Sequence, residues 1–96
     1  MKIYDKAQWH IDAGESESVV VSRFMAVFKF LNEQNLLSSD GVEIYEFGVD
    51  ESVSLHERLV NDTGKALLDL HYDSIISLNP EEIPEKLKDA LNAMSV

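Results

Sequence analysis

The sequence predicts an all-α fold, a small bundle of four or five helices around one long central helix. Three observations lead there. The stretch Ser16–Leu37, SESVVVSRFMAVFKFLNEQNLL, carries a helical apolar period and holds three of the four phenylalanines. Helix-start signals recur after it, at Asp40, Ser54 and Asp62. The apolar residues between 42 and 47 do not alternate as a half-buried strand requires. At 96 residues the chain has the size of one domain, and residues 1–96 are read as a single helical domain.

Residues 1–14 show no clear period and admit a short strand, an irregular arm or a brief helix. Trp9, the only tryptophan, is expected to fold back as a lid on the core, burying about 150–250 Å². The competing reading is a surface anchor for a partner. Ala13-Gly14 then marks a loop.

In the central helix, Val20, Phe24, Val27, Phe28 and Leu31 fall on one face. Met25 and Phe30 widen the apolar arc, which predicts cover on more than one side. Glu15 and Glu17 lie at the positive end of the helix dipole. Val19-Val20-Val21 is a β-branched run of weak helix propensity, and a strand start there is the competing reading. Asn35 suits the left-handed position just past the helix end, with Leu36 or Leu37 packing back on the last turn.

Asp40 with Glu43 fits a capping-box pattern and predicts a short helix over Gly41–Phe47, closed by Gly48. Ser54-Leu55-His56-Glu57 is a full S-x-x-E box and predicts another, through about Val60. Asp62 or Thr63 then caps a helix to about Ser77, with Leu67, Leu68, His71, Tyr72, Ile75 and Ile76 on one face. Gly64 near its start costs about 1 kcal/mol relative to alanine. Asn79-Pro80 ends this run, because the residue before proline avoids the helical region. Pro84 cannot occupy a helix interior, so either Pro80–Ile83 is a separate turn or the last helix starts near Pro84. Ile83, Leu87, Ala90, Leu91 and Met94 form the inward stripe of that helix.

An α+β layout is the alternative. It takes VEIYEFG and SVSLHERLV as two strands and TGKALLDLHY as a following helix. That last segment resembles the piece that follows the wing in winged-helix DNA-binding proteins. The resemblance implies a winged-helix-like fold, but no basic recognition helix accompanies it.

Charge narrows the function classes. Eighteen acidic residues against eight basic ones give a net charge of −10. Nucleic-acid binding draws on lysine and arginine neutralising phosphates, and anionic membrane surfaces attract the same residues, so neither is expected as a partner. No stretch approaches the ~20 apolar residues of a membrane span, and the N-terminus lacks the apolar run of a signal peptide. With no cysteine there is no disulfide framework and no thiolate metal site. A cytoplasmic setting is the expectation.

No residue set points to catalysis. His56-Glu57 supplies half of H-E-x-x-H, but Val60 stands where the second histidine belongs. His71 is expected as a core or boundary histidine, and His10 as a superficial one. Calcium-loop, nucleophile-elbow and phosphate-loop patterns are missing. No catalytic residue, metal ligand or cofactor is therefore expected, and a small metal-dependent enzyme is the least favoured class.

The base-free interval is the less ordinary feature. Between Lys29 and Arg58 there is no lysine or arginine, while Glu33, Asp40, Glu43, Glu46, Asp50, Glu51 and Glu57 accumulate. One reading is a solvated face with its aromatics turned inward. The other is a surface for a basic protein, built from Glu43, Tyr45, Glu46, Asp50 and Glu51. The expected function is a small acidic, non-catalytic protein-interaction or regulatory module, for which a homodimer is allowed. The alternative is an inhibitor or immunity-type protein that meets a basic partner through residues 33–57.

Overall fold

The computed structural model describes residues 1–94. Along the chain it runs β1 (Ile3–Lys6), α1 (Ala7–Asp12), α2 (Glu17–Glu33), α3 (Ser39–Phe47), β2 (Ser54–His56), a 3-10 turn (Glu57–Leu59), α4 (Asp62–Ile75), a second 3-10 turn (Pro80–Glu82) and α5 (Ile83–Met94). The described residues are thus mostly helical, with five α-helices and one two-stranded antiparallel sheet. None of these helices is long and apolar enough to cross a membrane.

Helix α2 is the centre. Val20, Phe24, Val27, Phe28, Phe30 and Leu31 are buried along it, and α1, α3 and α5 pack around it. The valine run is helical, because burial of Val20 outweighs a propensity deficit of a few tenths of a kcal/mol per residue. Met25 is the exception to the widened arc and stays exposed. The C-terminus is a full Schellman motif. Asn35 is left-handed at φ 58°, Leu36 N–H donates to the Leu31 carbonyl at 2.8 Å, and Asn35 N–H to that of Asn32 at 3.2 Å. Leu36 and Leu37 are both buried beyond it.

The N-terminal segment resolves into a strand and a six-residue helix, and β1 is where the all-α expectation needs correction. It pairs antiparallel with β2, Ile3 opposite His56 and Lys6 opposite Ser54, with an irregularity between Ile3 and Asp5. The box at Ser54–Glu57 therefore does not start a helix. Val53 and Leu55 point inward while Ser54 and His56 are half-buried, which is strand alternation. Glu57 accepts from the backbone N–H of Lys2 at 3.0 Å instead of closing a capping box. The winged-helix-like layout fails at its first strand, since residues 42–47 lie in α3.

Two caps also differ from expectation. Ser38, not Asp40, caps α3, its hydroxyl accepting from Gly41 N–H at 3.2 Å. Asn61, not Asp62 or Thr63, caps α4, its side-chain oxygen accepting from Gly64 N–H at 2.9 Å. Both caps sit where the chain after α2 pairs with the chain before α4. Leu37 bridges Val60, Ser38 N–H donates to the Leu59 carbonyl, and Asn61 N–H donates to that of Leu36. Gly64 lets α4 close on this seam, since a Cβ there would stand 2.6 Å from the Leu36 carbonyl oxygen. Pro84 lies in the first turn of α5, where a missing N–H costs nothing. Ile83 and Leu87 are buried, while Ala90, Leu91 and Met94 pack partly on the core. His71 and Ile76 sit half-buried at the edge of α4's apolar face.

Trp9 is not a lid. It is 53% exposed, and the Lys6 ammonium lies over its ring at 5.9 Å from the centroid. Ala7, fully buried, is the residue through which α1 enters the core.

Candidate protein-docking face

Helix α3 follows α2 after a short turn and lies on the Glu57–Leu59 turn. The approach is closest at Gly41, where a Cβ would stand 2.0 Å from the Leu59 carbonyl oxygen. Glycine is needed there for space rather than for its dihedral freedom. Ser38 ties the same seam by donating its hydroxyl to the Arg58 carbonyl at 2.5 Å. At the far end Gly48 takes φ 122°, which L side chains rarely adopt, and turns the chain sharply after Phe47.

The following loop is pinned at both ends. Val49 and Val53 are buried, and Ala7 N–H donates to the Val53 carbonyl at 3.1 Å. Between the two valines, Asp50, Glu51 and Ser52 face solvent. Asp50 Oδ1 accepts from Ser52 N–H at 2.9 Å and from its hydroxyl at 2.6 Å. These bonds, the hydroxyl first, hold the Asp50 carboxyl below its ordinary range, so it stays ionised.

Between α3 and this loop runs a groove of about 320 Å³. Ile44 and Phe47 form one wall, Asp50, Ser52, Val53 and Ser54 contribute to the other, and Leu59 and His56 also line it. Phe47 is 92% exposed and Ile44 40%. His56 Nδ1 is buried with no hydrogen-bond partner, the one such side-chain atom among the described residues.

Of the five expected partner-binding residues, the structure gathers four on the outer surface. Glu43 and Glu46 are exposed on α3, and Asp50 and Glu51 are exposed on the loop. Asp50 alone of these lines the groove. Tyr45 turns inward, half-buried against the core, and does not belong to the face. Phe47 and Ile44 were not among the expected residues. A signal existed: at roughly 100° per residue, Gly41, Val42 and Tyr45 share one side of α3, and Phe47 lies opposite them.

A second polar cluster is more tightly bonded, and it lies at the N-terminus. Asp5, 2% exposed, accepts at Oδ2 from Tyr72 hydroxyl and from His10 Nε2, both at 2.7 Å. His10 Nδ1 lies 2.8 Å from Glu15 Oε2, and Arg23 pairs with the other Glu15 oxygen. Arg23 also donates to the Ile76 carbonyl at 2.6 Å. The expectation of a superficial His10 is thus overturned. A neutral imidazole has one N–H, so only the imidazolium donates to both carboxylates. Arg23, above all, lowers the Glu15 pKa from its ordinary value, and His10 adds to it. Burial first, then the Asp5 charge, pushes the Tyr72 phenol far up, so it remains a neutral donor. The adjoining cavity measures about 10 Å³, room for one water at most. This cluster clasps β1 and α1 to α2 and α4, and it leaves no space for a substrate.

Among the described residues no group of three or more histidine and acidic side chains is placed to hold a metal ion. Compared with known proteins, the chain matches no family model, no curated protein and no solved structure.

Proposed function

We propose that the protein is a non-catalytic interaction module whose α3 face docks a basic protein partner. The observation that carries this reading is Phe47, 92% exposed beside Ile44 at the lip of a groove. An aromatic side chain in that position is the kind of anchor that a partner covers. Charge selects the partner. Glu43, Glu46, Asp50 and Glu51 surround the anchor, and the interval between Lys29 and Arg58 has no lysine or arginine to offset them. Such a field speeds the approach of a basic surface and opposes an acidic one, including this face of a second copy. An inhibitor or immunity-type protein is one form of this reading. The cysteine-free composition fits the cytoplasm as its setting.

The test uses the wild-type chain as bait in extract of its native host, with mass read-out. Two variants run beside it, Phe47→Ser and the triple reversal Glu43→Lys, Glu46→Lys, Asp50→Lys. The expected result is a protein of positive net charge that the wild type retains and both variants lose, with circular dichroism unchanged. If the charge-reversed variant retains the same protein, or if every retained protein is acidic, the reading fails.

A further inference from the structure

We infer that the groove between α2 and α5 is the surface through which two copies of this chain pair about a two-fold axis. This groove measures about 700 Å³ against 320 Å³ for the one beside Phe47. Lys29 and Glu33 line it from α2, Glu85 and Lys88 from α5, with Ala26 and Phe30 between them. Each wall therefore carries one cation and one anion. None of the four is in an ion pair with another of the described residues, although Lys29 and Glu33 are four apart and Glu85 and Lys88 three apart on their helices.

A two-fold contact requires a surface that complements itself. Over most of this molecule that condition is hard to meet, because the chain carries −10 and like charges would oppose. The α2–α5 groove is locally neutral, and a two-fold axis through it can set each lysine against a glutamate of the other copy. Met25, 39% exposed one turn before Lys29, extends the apolar part of the same helix flank. An acidic segment of another protein would suit the lysines and be opposed by Glu33 and Glu85. A basic segment would meet the reverse conflict. A second copy satisfies all four charges. The dimer is expected to be a weak one, since two chains that each carry −10 repel one another. It would present two α3 faces at once, but the pairing is independent of what those faces bind.

The experiment is sedimentation equilibrium of the full chain at up to about 1 mM, where weak pairs form. The expected mass at high concentration is twice the 10.8 kDa of one chain. Lys29→Glu with Lys88→Glu is expected to be monomeric, as is Glu33→Lys with Glu85→Lys, and an equimolar mixture of the two variants is expected to restore the dimer. Lys6→Glu with Arg58→Glu adds the same negative charge away from the groove and is expected to leave the dimer in place. A wild-type chain that stays monomeric throughout overturns the inference. So does a mixture that fails to pair, or a Lys6, Arg58 variant that dissociates as fully as the Lys29, Lys88 one.

Discussion

The N-terminal clasp and the α3 face are both built from acids and aromatics, yet they treat them in opposite ways. In the clasp every charge has a partner within the chain: Asp5 has His10 and Tyr72, and Glu15 has His10 and Arg23. On α3, Glu43 and Glu46 make no ion pair, and the neighbouring aromatic is the most exposed large apolar residue described. The clasp is closed around about 10 Å³, whereas the α3 groove is open at about 320 Å³. Polar groups bonded to each other hold a fold together; polar groups left facing water remain available to something else. The contrast supports the proposal that one region serves stability and the other recognition, and each half is open to direct attack.

The largest effect is expected at Asp5. Asp5→Ala leaves the His10 ring and the Tyr72 hydroxyl without their shared acceptor inside the protein. Breaking a buried charged network by removing one partner costs about 3–5 kcal/mol. Domains of this size hold about 5–15 kcal/mol in total, so the variant should approach the edge of folding in a urea titration. A loss under about 1 kcal/mol would show that the clasp is ornamental and erase its half of the contrast.

Gly41→Ala comes next. Its new Cβ would meet the Leu59 carbonyl oxygen at 2.0 Å, a backbone atom that no rotamer change can move aside, and the Leu37 Cβ at 3.1 Å. Overpacking of this kind costs about 1–3 kcal/mol. Because the strain sits under α3, partner binding should fall with stability, as displacement of α3 spoils the groove. Gly48→Ala offers a comparison, since open space surrounds that position and the strain comes from φ 122° alone.

These two positions show what the sequence disclosed and what it withheld. The central helix, its Asn35 terminus and the buried stripes of α4 and α5 were legible, because each rests on a period or a cap within a few residues. The β1–β2 pair was not. Its partners lie some fifty residues apart, and the local S-x-x-E pattern at Ser54 competed with a V-S-L-H alternation that only a distant strand could use. The caps Ser38 and Asn61 are hidden for the same reason: Asp40 and Asp62 nearby are equally good capping residues, and the seam pairing Leu37 with Val60 decides between them. Arg23 is a further signal, an arginine within the apolar stripe between Val20 and Phe24. An ion on a buried face needs partners within the chain, and here they are the Glu15 carboxylate and the Ile76 carbonyl. For the candidate face the charge is legible in composition, whereas the anchor is legible only in helical angle, which separates Phe47 from Tyr45.

Acid should loosen the clasp by a smaller margin. The Glu15 carboxyl titrates below its ordinary value of 4.5 when folded. Its contribution is therefore complete above the unfolded value and is lost as pH falls through the lower, folded one. Asp69 behaves alike, held down first by the Tyr4 hydroxyl and then by Lys2 and Lys65. Both groups reach solvent, so screening keeps each effect small. Urea midpoints should decline as pH falls from about 5 toward 3. Glu15→Gln should flatten that decline. An unchanged slope in the variant would remove Glu15 from the clasp's energetics.

The smallest effect on stability is expected at Phe47, and there the absence of an effect is informative. A side chain that is 92% exposed contributes little packing, so Phe47→Ser should change unfolding free energy by no more than about 0.5 kcal/mol. Burying such a ring under a partner contributes about 2 kcal/mol or more, a loss of thirty-fold or greater in affinity. The two magnitudes separate recognition from folding at one residue. A Phe47→Ser variant that unfolds with Asp5→Ala would mean that the ring packs against this chain in solution. One that keeps both its stability and its partner would move the recognition site off α3. Only unchanged stability with lost binding fits a surface whose groups have no use within the fold that carries them.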